Sequence, residues 1–264
     1  MTTAGLILRL SGLLQSWGER GVFHHRDTAP FPTRSALIGM FAAAQGRSRE
    51  EALAPYPQFP DTPDHRDLTF TLRIDRPGTL YRDLHTVGGG RPPEERLHTA
   101  NGGHRPPAGS TLISHRDYLT DAVFTAAVQG PDALITHIAD TLNQPRYAPF
   151  LGRRTCPPDE PLVVARTDDP LTELRERVPL SLSTPPRPGA DSVPITFVFE
   201  HPPPGDNTTH PHRESAGEPV DFTTADRSHL PRPLWFTTEE LPARLYAGPR
   251  PIDALAAYMH GTHP

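Results

Sequence analysis

Thirty-four prolines in 264 residues constrain this chain more than any other feature, because each fixes φ at about −65° and removes a backbone donor. Many loops and a modest helix content are therefore expected. The sharpest case is Pro145-Arg-Tyr-Ala-Pro-Phe-Leu-Gly-Arg-Arg-Thr-Cys-Pro157, with Pro158 behind it. Its prolines hold the segment extended or turned, while Gly152 lets the backbone come close to a partner. Arg146, Arg153 and Arg154 can fork onto phosphates, and Tyr147 offers a face on which a base can stack. A surface loop whose arginines pair with nearby carboxylates is the alternative reading of the same residues.

The length admits one large domain or two small ones with a real core. The N-terminal apolar run is broken by Arg9, far short of a membrane span, and no charged region precedes it, so it reads as the first strand of a cytoplasmic protein with no membrane partner. The single cysteine, Cys156, makes no internal disulfide and no cysteine-based zinc site, and reads as packed or incidental. A net charge of −5 looks wrong for a nucleic-acid binder until it is divided along the chain. Residues 1–156 carry 17 Arg against 15 acidic residues, whereas residues 157–264 carry nine against 16. All basic residues are arginine, which excludes any mechanism that needs a lysine.

Leu6-Ile-Leu-Arg-Leu10 reads as a buried strand. A helix follows from Pro32-Thr-Arg-Ser35, with Leu37, Met40, Phe41 and Ala44 at helical spacing, Thr33 as N-cap and Gly46 as C′ residue. Leu68–Ile74 alternates at the strand period, and Tyr118–Val128 is expected as one strand. Roughly forty residues rich in Gly, Pro, His and Arg separate the two, a length that in a compact domain is functional or disordered. Gly130–Leu142 reads as a second helix with Pro131 at N1, and Pro161–Ala165 as a further strand. The order β, α, β, β, α, loop, β suits an α+β, ferredoxin-like or RNA-recognition-type sheet with two helices on one face. After residue 177 the chain is Pro-rich, with strand-like islands at Pro194–Phe199 and Leu234–Phe236.

Catalytic signatures are scarce: the sequence carries no P-loop, no dinucleotide fingerprint, no His-Glu-x-x-His and no Gly-x-Ser-x-Gly. His24-His25 and His210-Pro-His212 invite a metal reading, but no carboxylate or cysteine stands at ligand spacing, so neither metal nor cofactor is expected. A metal-independent ribonuclease needs a general base, a general acid and a cation, which His85, His98, His104 or His115 with Tyr81 or an arginine can supply. Basic and aromatic residues interleaved with small ones form the stronger pattern. Gln15-Ser-Trp-Gly18 leads to Arg20 and Arg26, and Arg34 with Ser35 stands at a helix start that favours a phosphate. Trp17 is read either as a stacking platform or as core.

Five collinear blocks over about residues 5–165 resemble the CasD family, the Cas-five subunits of the type I-E CRISPR surveillance complex, Cascade. They are Leu6–Gly12 with Gln15-Ser-Trp-Gly18, Phe31-Pro-Thr-Arg-Ser-Ala-Leu-Ile-Gly39, Asp83-Leu-His-Thr-Val-Gly88, His115-Arg-Asp-Tyr-Leu-Thr-Asp-Ala122 with Phe124, and Pro145–Pro157. The resemblance implies a ferredoxin-like βαββαβ domain over 1–180 with an inserted β-hairpin thumb at about 77–115. A Pro-rich extension, 181–264, is expected to pack on the core or on partner subunits. It further implies a non-catalytic subunit that caps the 5′ handle of the CRISPR RNA and docks on the backbone (CasC) and large (CasA) subunits, and it leaves open a contact with target DNA. RNA contacts are then expected from Gln15, Trp17, Arg20, Arg26, Arg34, Ser35, His85, Val87, Arg91, Arg116, Arg146, Tyr147, Arg153 and Arg154. Val87 or Leu97 can wedge between nucleotides while Arg91 and Arg96 meet phosphates. A related branch cleaves precursor RNA with a tyrosine, lysine and histidine set, which a chain without lysine cannot reproduce.

Overall fold

In the computed structural model, β1 (Thr3–Ser11) carries the apolar run of residues 6–10 into the middle of a sheet, with Leu6, Leu8 and Leu10 buried on one face and Ile7 on the other. The structure describes all residues except 1–2, 20, 22–23, 89, 100, 107–109, 204–209, 224–226 and 262–264. β7 (Val123–Pro131) and β8 (Val163–Thr167) flank β1, both antiparallel to it. β4 (Thr69–Arg76) lies outside β7, followed by β9 (Ser192–Phe199), β11 (Ser228–Pro242) and β10 (Arg213–Asp221). The seven-stranded order is β10-β11-β9-β4-β7-β1-β8.

Two helices, α1 (Arg34–Ala44) and α2 (Asp132–Asn143), cover the Leu6, Leu8 and Leu10 face through Leu37, Ile38, Phe41, Leu134, Ile138 and Leu142. α1 ends as its sequence implies, with Gly46 at φ +76° just beyond the cap, while Thr33 occupies the N-cap without a side-chain bond. Pro131 is the N-cap of α2 rather than its first helical residue. The other face packs α3 (Pro170–Glu176) and α4 (Pro251–Met259) around Ile7, Ala127, Phe197, Phe199 and Trp235.

A second, smaller sheet stands on the first. β5 (Thr79–Gly88) and β6 (Thr111–Thr120) make a long antiparallel hairpin, and the short strands β2 (Leu14–Gln15) and β3 (His25–Arg26) pair with β6 at its root. The expected single strand 118–128 is therefore two. Asp121 adopts φ +56°, a left-handed conformation that an aspartate tolerates, and the chain turns there from hairpin into central sheet.

The residues after 180 do not form a separate layer. β9 pairs directly with β4, and a buried pair ties the preceding loop to the same strand. Arg73, with no exposed surface, forks onto Asp75 at 2.7 and 3.1 Å and donates to the carbonyls of Leu174, Val178 and Pro179. Asp75 in turn accepts from the Ser181 amide at 3.1 Å and the Thr125 hydroxyl at 3.3 Å. A charged pair so fully bonded within a core is costly to break. The whole is a mixed α+β architecture built on antiparallel sheets.

Candidate nucleic-acid interface

In an antiparallel pair, residues opposite one another project to the same face. Tyr81 therefore shares a face with Tyr118, Asp83 with Arg116, His85 with Ser114 and Val87 with Leu112. The parallel bridge of β3 to β6 aligns Arg26 with Arg116, which puts two cations side by side at the hairpin root. Neither makes an ion pair with another described residue, and the Arg116 Nε is buried without a hydrogen-bond partner. Tyr81 is half exposed beside them.

The opposite face of the hairpin is electrically closed. Arg82 forks onto Asp117 at 2.7 and 3.1 Å, and His25 Nε2 lies 2.7 Å from the same carboxylate. The Arg82 fork, with His25 adding to it, holds Asp117 below the usual carboxylate range. Around this compensated cluster Leu80, Leu84 and Ile113 are exposed. One face of the hairpin thus carries Arg26 and Arg116 without an ion pair among the described residues, with Asp83 opposite Arg116 and 3.7 Å from His85, and the other carries apolar surface.

The proline-rich loop runs from the C-terminal end of α1, where the Arg146 amide donates to Ala44 O at 2.7 Å, to the hairpin root. There the Ser16 amide donates to Leu151 O, and a Cβ on Gly152, whose φ is +82°, would overlap the Ser16 carbonyl. Arg146, Tyr147 and Arg154 are exposed and make no ion pair with a described residue. Arg153 differs. Its guanidinium lies over the Tyr118 ring at 4.9 Å, and Nη2 donates to Arg26 O at 3.0 Å and Asp27 O at 3.4 Å. It holds β3 and the loop together rather than facing solvent. Cys156, buried in the same loop, has its thiol pushed up by burial and reads as packing.

Four expected contacts are corrected by burial. Gln15 is fully buried, donating to Leu10 O and Ala122 O and accepting from the indole of Trp17 at 3.1 Å. Trp17, 1% exposed, is core, so it has no free face for a base. Ser35 is buried beside Thr33, 3.4 Å from its hydroxyl. Arg34, 5% exposed, points inward to Leu68 O, Arg66 O, Glu200 at 3.0 Å and Glu218 at 2.9 Å, with Arg232 completing the cluster. Its charge is spent on two carboxylates, so the helix start is not a phosphate site. Arg20 lies outside the described residues. Arg26, His85, Val87 and Arg116 come together on the cationic face of the hairpin, and Arg91 is exposed towards its tip. Tyr81, named from the sequence only as a partner for a ribonuclease histidine, stands on the same face as His85, Val87 and Arg116.

A family model described as CRISPR-associated protein (Cas_Cas5) matches residues 5–232. The chain is 35% identical over 185 residues to the CRISPR system Cascade subunit CasD of Escherichia coli (strain K12), covering 66% of this chain and 77% of that protein. Among solved structures, a chain of a CRISPR RNA-guided surveillance complex superposes with a TM-score of 0.84 at 40% identity, covering 97% of this chain and 99% of that one. A crystal structure of a Cas protein superposes with a TM-score of 0.58 at 27% identity, covering 92% and 97%. The chain belongs to the Cas5 family of CRISPR-associated proteins.

Proposed function

We propose that the chain is a non-catalytic RNA-binding subunit of a CRISPR surveillance complex, in which the β5–β6 hairpin acts as a thumb over the 5′ handle of the CRISPR RNA. The observation that carries this reading is the alignment of Arg26 with Arg116 beside the exposed Tyr81, with Arg153 stacked on Tyr118 of the same face and bonded to the Arg26 carbonyl. Unpaired cations attract the phosphate backbone, and an aromatic face next to them accepts a splayed base. The strand order β4-β7-β1-β8, with α1 and α2 on one face, supports a ferredoxin-like βαββαβ core into which the hairpin is inserted. Likeness to a chain of an RNA-guided surveillance complex over nearly the whole length supports the same assignment.

The apolar face of the hairpin, with Leu80, Leu84 and Ile113 exposed around a closed charge cluster, suits contact with the backbone (CasC) and large (CasA) subunits. The test is a labelled CRISPR-repeat RNA mixed with the full chain in EDTA, with and without the other subunits, following retention and cleavage together. Retention of an intact handle that weakens on Arg26→Glu with Arg116→Glu is expected. Specific cleavage by the chain alone would overturn the reading in favour of a metal-independent endoribonuclease.

A further inference from the structure

We propose that the hairpin tip carries a second nucleic-acid contact, a base-stacking platform made by the paired rings of His98 and His104; this rests on the RNA-binding reading above and extends it. The two histidines face each other across an antiparallel bridge, with ring centroids 4.4 Å apart and planes inclined by 38°. Both are exposed, so the pair is packed against no core.

The pair is nevertheless held. The Arg105 amide donates to Leu97 O at 3.0 Å, the Thr99 amide and hydroxyl both donate to Gly103 O, and the Gly102 amide closes back on Thr99 O with φ +81° at Gly102. His104 Nδ1 lies 2.8 Å from Arg96 O, so that nitrogen carries the proton and the ring plane is fixed. Leu97 closes over the end of the arm, 3.3 Å from where a Cβ on Gly88 would stand. A segment this rich in glycine would lose much entropy in ordering two exposed rings, and a preorganised aromatic surface is what binds an unstacked base with least further loss.

Spacing connects the tip to the root. Asp83, opposite Arg116, stands five residues before the end of β5, roughly 17 Å at strand rise, which is the length of about five stacked nucleotides. One single strand of RNA held at the root would therefore present its following bases to the tip at high effective concentration. Arg91 and Arg96 lie on the approach, joined by a bond from Arg96 Nε to Arg91 O at 3.3 Å.

The experiment titrates the full chain with labelled single-stranded CRISPR-repeat RNA in EDTA, which removes any metal bridging the imidazoles. Three variants are compared: H98A/H104A, H98F/H104F and the root variant R26E/R116E. About a tenfold loss in the alanine pair is expected, within the range for one base–aromatic stack, with the phenylalanine pair close to the parent and the salt dependence unchanged. An alanine pair that binds like the parent while the root variant binds weakly would overturn the tip contact and leave the RNA-binding reading standing. Equal loss in the phenylalanine and alanine pairs would overturn stacking. A root variant that binds like the parent would bring down the RNA-binding reading, and this inference with it.

Discussion

Arg153 sets its guanidinium 4.9 Å from the centre of the Tyr118 ring while Nη2 donates to the carbonyls of Arg26 and Asp27. One side chain from the proline-rich loop thereby fixes the backbone that carries Arg26 and one wall of the hairpin. Arg153→Ala is expected to lower stability by about 1–2 kcal/mol, the sum of a cation–π contact and one or two backbone bonds. Urea unfolding checks that figure, and hydrogen exchange at residues 24–28 should quicken in the same variant.

The same geometry separates positioning cations from phosphate contacts. Arg26, Arg116 and Arg154 make no ion pair with a described residue, whereas Arg153 commits Nη2 to two backbone carbonyls and lays its guanidinium over the Tyr118 ring. Each of Arg26→Ala, Arg116→Ala and Arg154→Ala should reduce the slope of log K against log salt by about 0.7, the value for one phosphate of a single strand. Arg153→Ala should weaken binding with its slope unchanged. Titrations at four salt concentrations decide between the two behaviours for each residue.

Arg34 should behave as a structural residue. Its guanidinium bonds Glu200 and Glu218 within the cluster that joins α1 to the C-terminal strands. Arg232 still pairs with both carboxylates, so removing Arg34 leaves one negative charge of the cluster uncompensated, and Arg34→Met is expected to cost about 3–5 kcal/mol. Adding Glu200→Gln to that variant should recover part of the loss, because one stranded charge is then removed. The urea midpoints of the single and double variants check both statements, and the folded fraction of either should bind RNA like the parent.

The contrast between Arg34 and Arg26 shows what the sequence makes legible. Local periodicity exposes β1, α1, β4 and α2, because their apolar spacing repeats within ten residues. The partners of Arg34 are 166 and 184 residues away in chain, so a helix-start arginine reads as a phosphate contact until those strands are in place. The islands at 194–199 and 234–236 fall within β9 and β11, whereas β10 and the start of β11 were masked by their prolines, Pro219 and Pro233 lying within paired segments. Trp17 reads either as stacking platform or as core and Gln15 as an RNA contact until long-range pairing, of β2 with β6 and of Trp17 with Ala29, is in place. Within the site, the basic loop stood out by composition and Asp83–Gly88 through the family resemblance, while the alignment of Arg26 with Arg116 depends on a two-residue parallel bridge that no periodicity announces.

Gly152 tests how closely the proline-rich loop must approach the hairpin root. Its positive φ and the overlap of any Cβ with the Ser16 carbonyl oppose a side chain twice over. Gly152→Ala is expected to destabilise by more than about 1 kcal/mol, since the strain adds to displacement of the loop. Thermal unfolding of that variant beside Gly189→Ala, a left-handed glycine with open space around it, separates the two contributions.

His65 gives the fold a defined sensitivity to acid. It is fully buried, with Nδ1 donating to Ala52 O at 2.9 Å and Nε2 2.9 Å from the Tyr56 hydroxyl, which itself donates to Gln45 Oε1. Burial is the main cause that holds its pKa at about 4, and Arg47 and His137 press in the same direction while the Ala52 carbonyl and Asp64 oppose them. The folded value lies below the unfolded one of 6.5, so the unfolded chain takes up a proton first as pH falls. The stabilisation is therefore complete above about pH 6.5 and is lost on the way down to about pH 4, amounting to roughly 3 kcal/mol over the window. Urea unfolding at half-unit steps from pH 7.5 to 4 should show this decline, and His65→Gln should flatten it while lowering stability at pH 7.5; an unaltered slope in that variant would assign the acid sensitivity to other groups.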